Sequence, residues 1–100
     1  MVYRVKILST AEQDIDAMSG YYEKFYPDTA LRRYDDLMSK LRKLADHPYM
    51  YEEYNKNPKY RKLVSGDYIG FYTVDDEAGI VRLYRVLPGK MDLTKLLEKS

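Results

Sequence analysis

The sequence predicts an α+β fold in which an N-terminal helical hairpin packs on an antiparallel sheet. Three observations support this class: an opening segment with the alternation of a strand, two following segments with helical periodicity, and several short strands near the end. Together they give the order β-α-α-β-β-β, followed by a brief C-terminal helix. Because a helical hairpin must bury its apolar side, and the strands supply the available sheet, the two layers are expected to pack together.

The composition indicates one globular domain, residues 1–100. The chain is 45% hydrophobic and 33% charged, a balance that is typical of a folded protein. It contains no apolar run near the roughly 20 residues that a membrane span needs, and it has no cysteine for a disulfide or a thiolate metal site. We therefore expect a cytoplasmic protein that does not bind a membrane.

The charge balance argues against a broad nucleic-acid surface. Seventeen basic and sixteen acidic residues give a net charge of +1, whereas proteins that grip nucleic acid over a wide area carry a basic excess. No direct, specific DNA binding is therefore expected. The chain is instead rich in tyrosine, with twelve tyrosines and no tryptophan, and tyrosine suits both core margins and protein interfaces.

The first half of the chain has the pattern of one strand and two helices. Residues 2–8 alternate apolar and basic side chains, as a half-buried strand does. A second helix is predicted to begin near Asp28 or Thr29, because proline at Pro27 disfavours helical conformation in the residue before it. The apolar stripe of the first helix consists of Ala11, Ile15, Met18, Tyr22 and Phe25.

The second half predicts a three-stranded meander. Its strands are expected over residues 60–64, 68–74 and 80–87, with turns at residues 65–67 and 75–79. Pro88 and Gly89 end the last strand. Residues 92–99, which contain three leucines, are predicted to form the brief terminal helix.

Standard catalytic motifs are missing from the sequence. It has no glycine-rich phosphate loop, no zinc-ligand spacing and no serine elbow, so neither a cofactor nor a metal is expected. The single histidine, His47, lies between an aspartate and a proline at a predicted helix end. Capping of carbonyl groups or solvation is the expected role there.

The strand region combines cations with tyrosines. Guanidinium groups beside aromatic rings suit phosphate and base contacts. The same groups also suit an acidic segment of a protein partner, or simple solvation of one sheet face. The cations are Lys59, Arg61, Lys62, Arg82, Arg85 and Lys90, and the tyrosines are Tyr60, Tyr68, Tyr72 and Tyr84.

The same region resembles the RelE/ParE toxin superfamily. Those proteins carry a G-x-Y-x-x-x-Y-x-V strand before an R-V-L-H-G-x-x-D strand end, and residues 66–75 and 81–93 are similar to these segments. The order of elements over residues 2–95 is similar as well. The resemblance implies the toxin of a type II toxin–antitoxin pair, of the plasmid-stabilisation kind, silenced by a partly disordered antitoxin that folds on binding.

Within the superfamily the resemblance implies one of two activities. RelE-like toxins cleave mRNA in the ribosome, whereas ParE-like toxins bind DNA gyrase and are not nucleases. The catalytic arginine of RelE-like enzymes falls on Ile69, and further basic or histidine positions fall on Pro88, Met91 and Leu93. We therefore interpret the chain as a ParE-like toxin, with a ribosome-dependent endoribonuclease and a detoxified protein-binding member as the alternatives.

Each interpretation has its own candidate residues. The gyrase-binding candidates are Arg82, Arg85, Lys90, Met91 and Asp92. The endoribonuclease candidates for phosphate binding are Arg61, Lys62, Arg85 and Lys90. A tyrosine such as Tyr60 or Tyr84 would assist that reaction. The antitoxin is expected to contact the hairpin groove and the sheet margin through Tyr21 and Tyr26.

Overall fold

The predicted order of elements is confirmed. A computed structural model describes residues 2–89, apart from the side chain of Tyr22. The terminal helix expected over residues 92–99 lies outside this range. The elements are strand β1 (Arg4–Ile7), helices α1 (Ser9–Phe25) and α2 (Pro27–Lys43), and strands β2 (Arg61–Ser65), β3 (Tyr68–Asp75) and β4 (Ile80–Pro88).

The strands form one mixed sheet in the order β1-β4-β3-β2. The three later strands form the predicted antiparallel meander. The first strand lies parallel to β4, so the sheet that the sequence predicts as antiparallel is mixed. Parallel neighbours need a long crossover between them, which the helical hairpin and the other strands provide here. Local alternation predicts a strand, but the direction of its pairing depends on the whole path of the chain.

Both helices pack on one face of the sheet, which we call the inner face. From α1, Ala11, Ile15 and Met18 are buried there, as the predicted stripe requires. Leu37 and Leu41 of α2 complete the helical side of the core. The sheet residues that meet them are Leu63, Tyr72, Val81, Leu83 and Val86.

The far end of the hairpin projects into solvent. Tyr26 alone separates α1 from α2, and Pro27 occupies the first position of α2, where proline is favoured because its fixed φ suits a helix start. Phe25, which the sequence predicts as part of the buried stripe, is 56% exposed. Among the described side chains of α1, the buried stripe instead ends at Met18, because the core against the sheet does not reach the last two turns.

The connection from α2 to β2 is fixed by contacts with the sheet. The backbone N–H of Lys62 donates to the Glu52 carbonyl at 3.1 Å. Tyr54 is buried against the sheet face opposite the helices. On the inner face, the buried hydroxyl of Tyr72 donates to the Pro48 carbonyl at 2.9 Å. The segment therefore wraps around the edge of β2 and contacts both faces of the sheet.

Candidate functional site

The face of the sheet turned away from the helices, the outer face, carries four of the candidate residues: Tyr60, Lys62, Arg82 and Tyr84. Val81 and Leu83 point to the helices, so alternation along β4 places Arg82 and Tyr84 on the opposite side. Strand pairing extends this assignment to the neighbouring strands. The outer face comprises Arg4, Lys6, Tyr60, Lys62, Ile69, Phe71, Thr73, Arg82, Tyr84 and Leu87.

An aromatic cluster covers part of this outer face. Tyr54 lies edge-on to Phe71, with ring centroids 5.1 Å apart, and Tyr60 contacts Tyr84 with centroids 5.4 Å apart. The ammonium of Lys59 lies 5.4 Å from the Tyr60 ring and 5.8 Å from the Tyr84 ring. At an exposed site such a contact stabilises by about 0.5–1 kcal/mol. The structure thus brings together the two candidate tyrosines and one cation.

A polar row crosses the outer face from β1 to β3. Lys6 lies opposite Arg82, and Arg82 lies opposite Thr73. Arg82 Nη1 donates to Asp75 Oδ2 at 3.0 Å. Because both partners are about one third exposed, this pair contributes no more than about 1 kcal/mol. Lys6 has no acidic partner within residues 2–89, so the row offers cationic groups to a partner.

Asp75 holds the turn between β3 and β4 in place. Its Oδ1 accepts the Ala78 N–H at 3.0 Å. This bond, together with the hydrogen bond from Arg82, lowers the pKa of Asp75. The carboxylate therefore stays ionised at neutral pH and orients Arg82 along the outer face.

Arg85 is bound to helix α1 at the sheet margin. Its Nε donates to Asp14 Oδ2 at 2.7 Å, and its Nη2 donates to Asp14 Oδ1 at 3.0 Å. The two side chains are only 18% and 15% exposed. The hydrogen bonds to Asp14 raise the pKa of Arg85 above its ordinary value. In this position Arg85 holds the helix to β4.

The cations of β2 point to opposite sides of the strand. Arg61 Nη1 donates to the Tyr51 carbonyl at 2.7 Å, whereas Lys62 Nζ lies 3.3 Å from Glu52 Oε1 on the other side. Each cation is held by a different part of the preceding connection. The structure therefore does not gather Arg61, Lys62 and Arg85 at one point.

The exit of β4 lies beside the turn between β2 and β3. The Gly89 N–H donates to the Asp67 carbonyl at 2.9 Å. Ile69, the position of the RelE-like catalytic arginine, packs against the aromatic cluster. The candidates Lys90, Met91 and Asp92 lie outside the described residues.

Other kinds of site find no support in the described part of the chain. His47 is exposed after α2, and its backbone N–H donates to the Lys43 carbonyl at 3.0 Å. Across residues 2–89, no group of three histidine, aspartate or glutamate side chains is arranged to hold a metal ion. Within the same range, every helix is too short or too polar to cross a membrane.

The antitoxin candidates Tyr21 and Tyr26 lie at the end of the helical hairpin. They are 56% and 59% exposed, and Leu31 of α2 is 64% exposed. The rings of Tyr21 and Phe25 contact each other with centroids 5.4 Å apart. From Tyr21, a groove of about 350 Å³ runs between α1 and the end of β4 at Leu87. Tyr21 connects the hairpin end to this groove, whose lining is largely apolar.

The sequence analysis missed the part played by Asp14. Thr10 and Asp14 lie four residues apart on α1, so they share one side of the helix next to the apolar stripe. Thr10 Oγ1 donates to the Tyr84 carbonyl at 2.7 Å, and Asp14 Oδ2 accepts the Val86 N–H at 3.0 Å. The spacing of this polar pair indicates that both residues lie beside the apolar stripe, but it does not indicate which groups of β4 they bind.

A family model decides where the chain belongs. The model describes the ParE toxin of parDE type II toxin–antitoxin systems, and it matches residues 5–93. The chain belongs to the ParE toxin family. It is therefore a toxin of the type II toxin–antitoxin kind, and the resemblance to the RelE/ParE superfamily is confirmed.

Solved structures of the superfamily share this fold. A chain of the chromosomal ParDE system of P. aeruginosa is 18% identical, with a TM-score of 0.74 over 87% of this chain and 96% of that chain. The RelBE2 toxin–antitoxin complex of Mycobacterium tuberculosis gives 20% identity and a TM-score of 0.59 over 88% and 99%. A variant of the E. coli toxin RelE in the free state is 18% identical, with a TM-score of 0.63 over 99% of this chain and 98% of that chain. No curated protein matches the chain by sequence.

Proposed function

We propose that this ParE-family toxin arrests growth by binding DNA gyrase, without catalysing a reaction itself. The observation that carries the proposal is the separation of the cations that a ribonuclease would need. Arg61, Lys62 and Arg85 are held by three different partners, whereas acid–base cleavage needs its groups within hydrogen-bond reach of one phosphate. A toxin that acts by binding needs only a surface.

The proposed gyrase-binding surface is the outer face near β4 and the exit of that strand. Arg82 and Lys6 supply cationic groups there, and Lys90, Met91 and Asp92 follow directly in the sequence. Arg85, selected with them from the sequence, contributes indirectly by fixing the position of β4 against α1. Arginine and aromatic groups are enriched in protein interfaces, which favours this part of the molecule.

Gyrase supercoiling assays test this proposal. The purified chain is expected to reduce supercoiling, and R82A and K90A are expected to weaken the inhibition. R42A is the matched control, because Arg42 is an exposed cation at the end of α2, away from the outer face. Unchanged supercoiling at excess of the wild-type chain would contradict gyrase as the target.

A second candidate function is ribosome-dependent mRNA cleavage. The specific observation in its favour is the Lys59, Tyr60 and Tyr84 group, which combines a cation with two hydroxyl-bearing rings on the outer face. Pulse labelling after induction separates the two functions. Early loss of DNA synthesis supports gyrase, and early loss of translation, relieved by Y84F, supports cleavage. Normal growth would point to the detoxified alternative.

For the antitoxin, we propose binding at the hairpin end and in the groove beside β4. The exposed Tyr26 and Leu31 provide apolar area, and the groove continues it along α1. A partner that orders on binding can cover such an extended surface. Substitutions Y21S and Y26S should weaken the complex with the antitoxin. An unchanged affinity would exclude this placement.

A further inference from the structure

A cavity on the exposed side of α2 is lined by two arginines. Its volume is about 480 Å³, and its walls are Thr29, Arg32, Arg33 and Asp36. Neither arginine side chain makes a hydrogen bond or an ion pair with another described residue, although the charge of Arg33 helps to lower the pKa of Asp36. We call Thr29, Arg32 and Arg33, with Gly66 of the turn between β2 and β3, the arginine notch. No residue of this notch belongs to the outer face.

The guanidinium of Arg33 is held against the turn at Gly66. A Cβ atom built at Gly66 would lie 2.6 Å from Arg33 Cζ, and Gly66 has a φ of +60°. Glycine is therefore favoured by this backbone conformation, and the absence of a side chain leaves room for the guanidinium beside the turn. The guanidinium of Arg33 therefore lies directly beside the turn between β2 and β3.

One donor of this guanidinium is buried without a partner. Arg33 Nε is shielded from solvent and has no hydrogen-bond acceptor in the described part of the chain. An unsatisfied buried donor costs free energy, and the cost is larger on a charged group. An acceptor that reached this nitrogen would remove this cost.

Asp36, which lines the same cavity, is already used by other groups. Its Oδ2 accepts the Ser65 hydroxyl at 2.7 Å and Lys40 Nζ at 3.0 Å. The hydrogen bond from Ser65 is the main cause of its lowered pKa, and the bond from Lys40 adds to it. The Asp36 carboxylate therefore stays ionised and is held by Ser65 and Lys40, while the charge of Arg33 also lowers its pKa. Two arginines against this one carboxylate leave the lining of the cavity with a net positive charge.

We infer that the arginine notch binds a carboxylate from an acidic and partly apolar segment of the antitoxin. The planar guanidinium fork matches a carboxylate. The exposed Leu31 and Tyr34 on the same helix, 64% and 42% exposed, favour a segment that also carries apolar side chains. This inference rests on the proposed antitoxin partner, and it specifies one charge that the partner must present.

A nucleic-acid backbone fits the notch less well. Asp28, Asp35 and Asp36 surround the two arginines on α2, and the chain as a whole has a net charge of only +1. A polyphosphate gains affinity from many cations along its length, whereas a single carboxylate needs one prepared site. The local charge pattern thus favours a protein ligand.

The first experiment titrates the full chain with sodium acetate and follows nitrogen-bound protons by NMR. The Arg33 Nε–H and the Gly66 amide are expected to shift together and to saturate, and R33Q is expected to abolish the shift at Gly66. R42Q is the matched control, because it removes a charge from the opposite side of the same helix, nine residues away. No saturable shift with acetate, or a shift with inorganic phosphate alone, would overturn the inference.

The second experiment measures binding of the antitoxin encoded by the neighbouring reading frame. R33Q should weaken the complex by about ten-fold or more, because a hydrogen bond to a charged group is lost. R33K keeps the positive charge but loses the planar guanidinium, so its affinity for the antitoxin should lie between those of the wild type and R33Q. The affinity of R42Q should stay within about two-fold of the wild type. Thermal melting of each variant shows that the fold is retained. If the antitoxin binds the wild-type chain and R33Q with equal affinity, the antitoxin is the partner but the arginine notch is not its carboxylate site. If the antitoxin does not bind the wild-type chain at all, the proposed antitoxin partner is contradicted instead.

Discussion

At the scale of single residues, tyrosine hydroxyls connect parts of the chain that are far apart in sequence. Asp76 in the turn before β4 accepts Tyr3 Oη at 2.7 Å through Oδ1 and Tyr49 Oη at 2.5 Å through Oδ2. One carboxylate thus links the N-terminal segment, the connection after α2 and the β3–β4 turn. The high tyrosine content therefore serves the fold as well as surfaces available to partners.

Substitution Y49F should change how stability depends on pH. The hydrogen bond to Asp76 is the main cause that raises the pKa of Tyr49 to about 12. The stabilisation is fully present below the unfolded-state pKa of about 10 and is lost as the pH rises toward about 12. Unfolding in urea across this range should show a smaller loss of stability for Y49F than for the wild type.

For Asp76, the carboxylate in the same contact, stability depends on pH in the opposite direction. The hydrogen bond from Tyr49 is the main cause that lowers the pKa of Asp76, so its contribution is present above the ordinary carboxylate pKa and disappears as the pH falls through the folded-state pKa. Y26F is the control, because the Tyr26 hydroxyl makes no hydrogen bond in the described part of the chain. Equal pH profiles for Y49F and the wild type would contradict the assignment.

At the scale of elements, α1 takes the place of a strand along part of β4. Strand β1 pairs with β4 only from Ile80 to Leu83. Beyond that point Thr10 binds the Tyr84 carbonyl and Asp14 binds the Val86 N–H. Two side chains of a helix thus satisfy edge groups that would otherwise need another strand or water.

Removal of Asp14 should destabilise the fold more than any exposed acid does. D14A removes the carboxylate that binds both Arg85 and the Val86 N–H in a largely buried place, and this should cost about 3 kcal/mol. D14N keeps an oxygen acceptor and should lose about half as much. D16A, on the exposed side of α1, should stay within about 0.5 kcal/mol.

Urea denaturation followed by circular dichroism measures these differences. A similar loss for D14A and D16A would show that the Asp14 contact is not important for stability. A loss for D14N equal to that for D14A would assign the effect to the charge alone, and the hydrogen bond to β4 would then contribute nothing measurable.

Element positions were predictable from local patterns, whereas the contacts of Asp14 were not. The spacing of Ala11, Ile15 and Met18 predicts a helix and its buried side, because helical geometry brings these residues to one face. A polar residue beside that stripe is usually solvated. Its use by Arg85 depends on β1 ending before β4 does, which no local pattern in the sequence reveals.

At the scale of the whole molecule, order should decrease from the sheet toward the hairpin end. Strand β4 lies between β1 and β3, and β3 lies between β4 and β2. Around Phe71 and Leu83 these strands are buried on both faces. The hairpin end is instead exposed at Phe25 and Tyr26. Local opening requires less free energy where few apolar contacts are lost.

Native-state hydrogen exchange tests this gradient. Amides of β3 and β4 should exchange slowest, and those of residues 19–26 should exchange fastest among the elements. If the hairpin end is the antitoxin-binding surface, addition of the antitoxin should slow the exchange of the amides of residues 19–26. Uniform protection along α1 in the free chain would contradict the expected gradient.

The candidate site was less predictable than the fold for a related reason. Residue types alone grouped Arg61, Lys62 and Arg85 as cations of one strand region. In the folded chain Tyr51, Glu52 and Asp14 each bind one of them. Tyr51 and Glu52 lie in a connection without a regular pattern, and Asp14 lies on α1, far from β4 in sequence. Tyr60 and Tyr84, in contrast, meet as neighbours on one sheet face, as strand alternation implies.

The contact between Arg85 and Asp14 has a consequence for genetics. In a selection for cells that survive expression of the toxin, substitutions at Arg85 will be recovered, as will substitutions on the outer face at Arg82. Under the proposed function the two groups differ in protein abundance: variants at Arg85 survive because the destabilised chain is degraded, whereas variants at Arg82 accumulate as folded protein that no longer binds the target. Survival alone will therefore overstate how many residues of β4 touch the target.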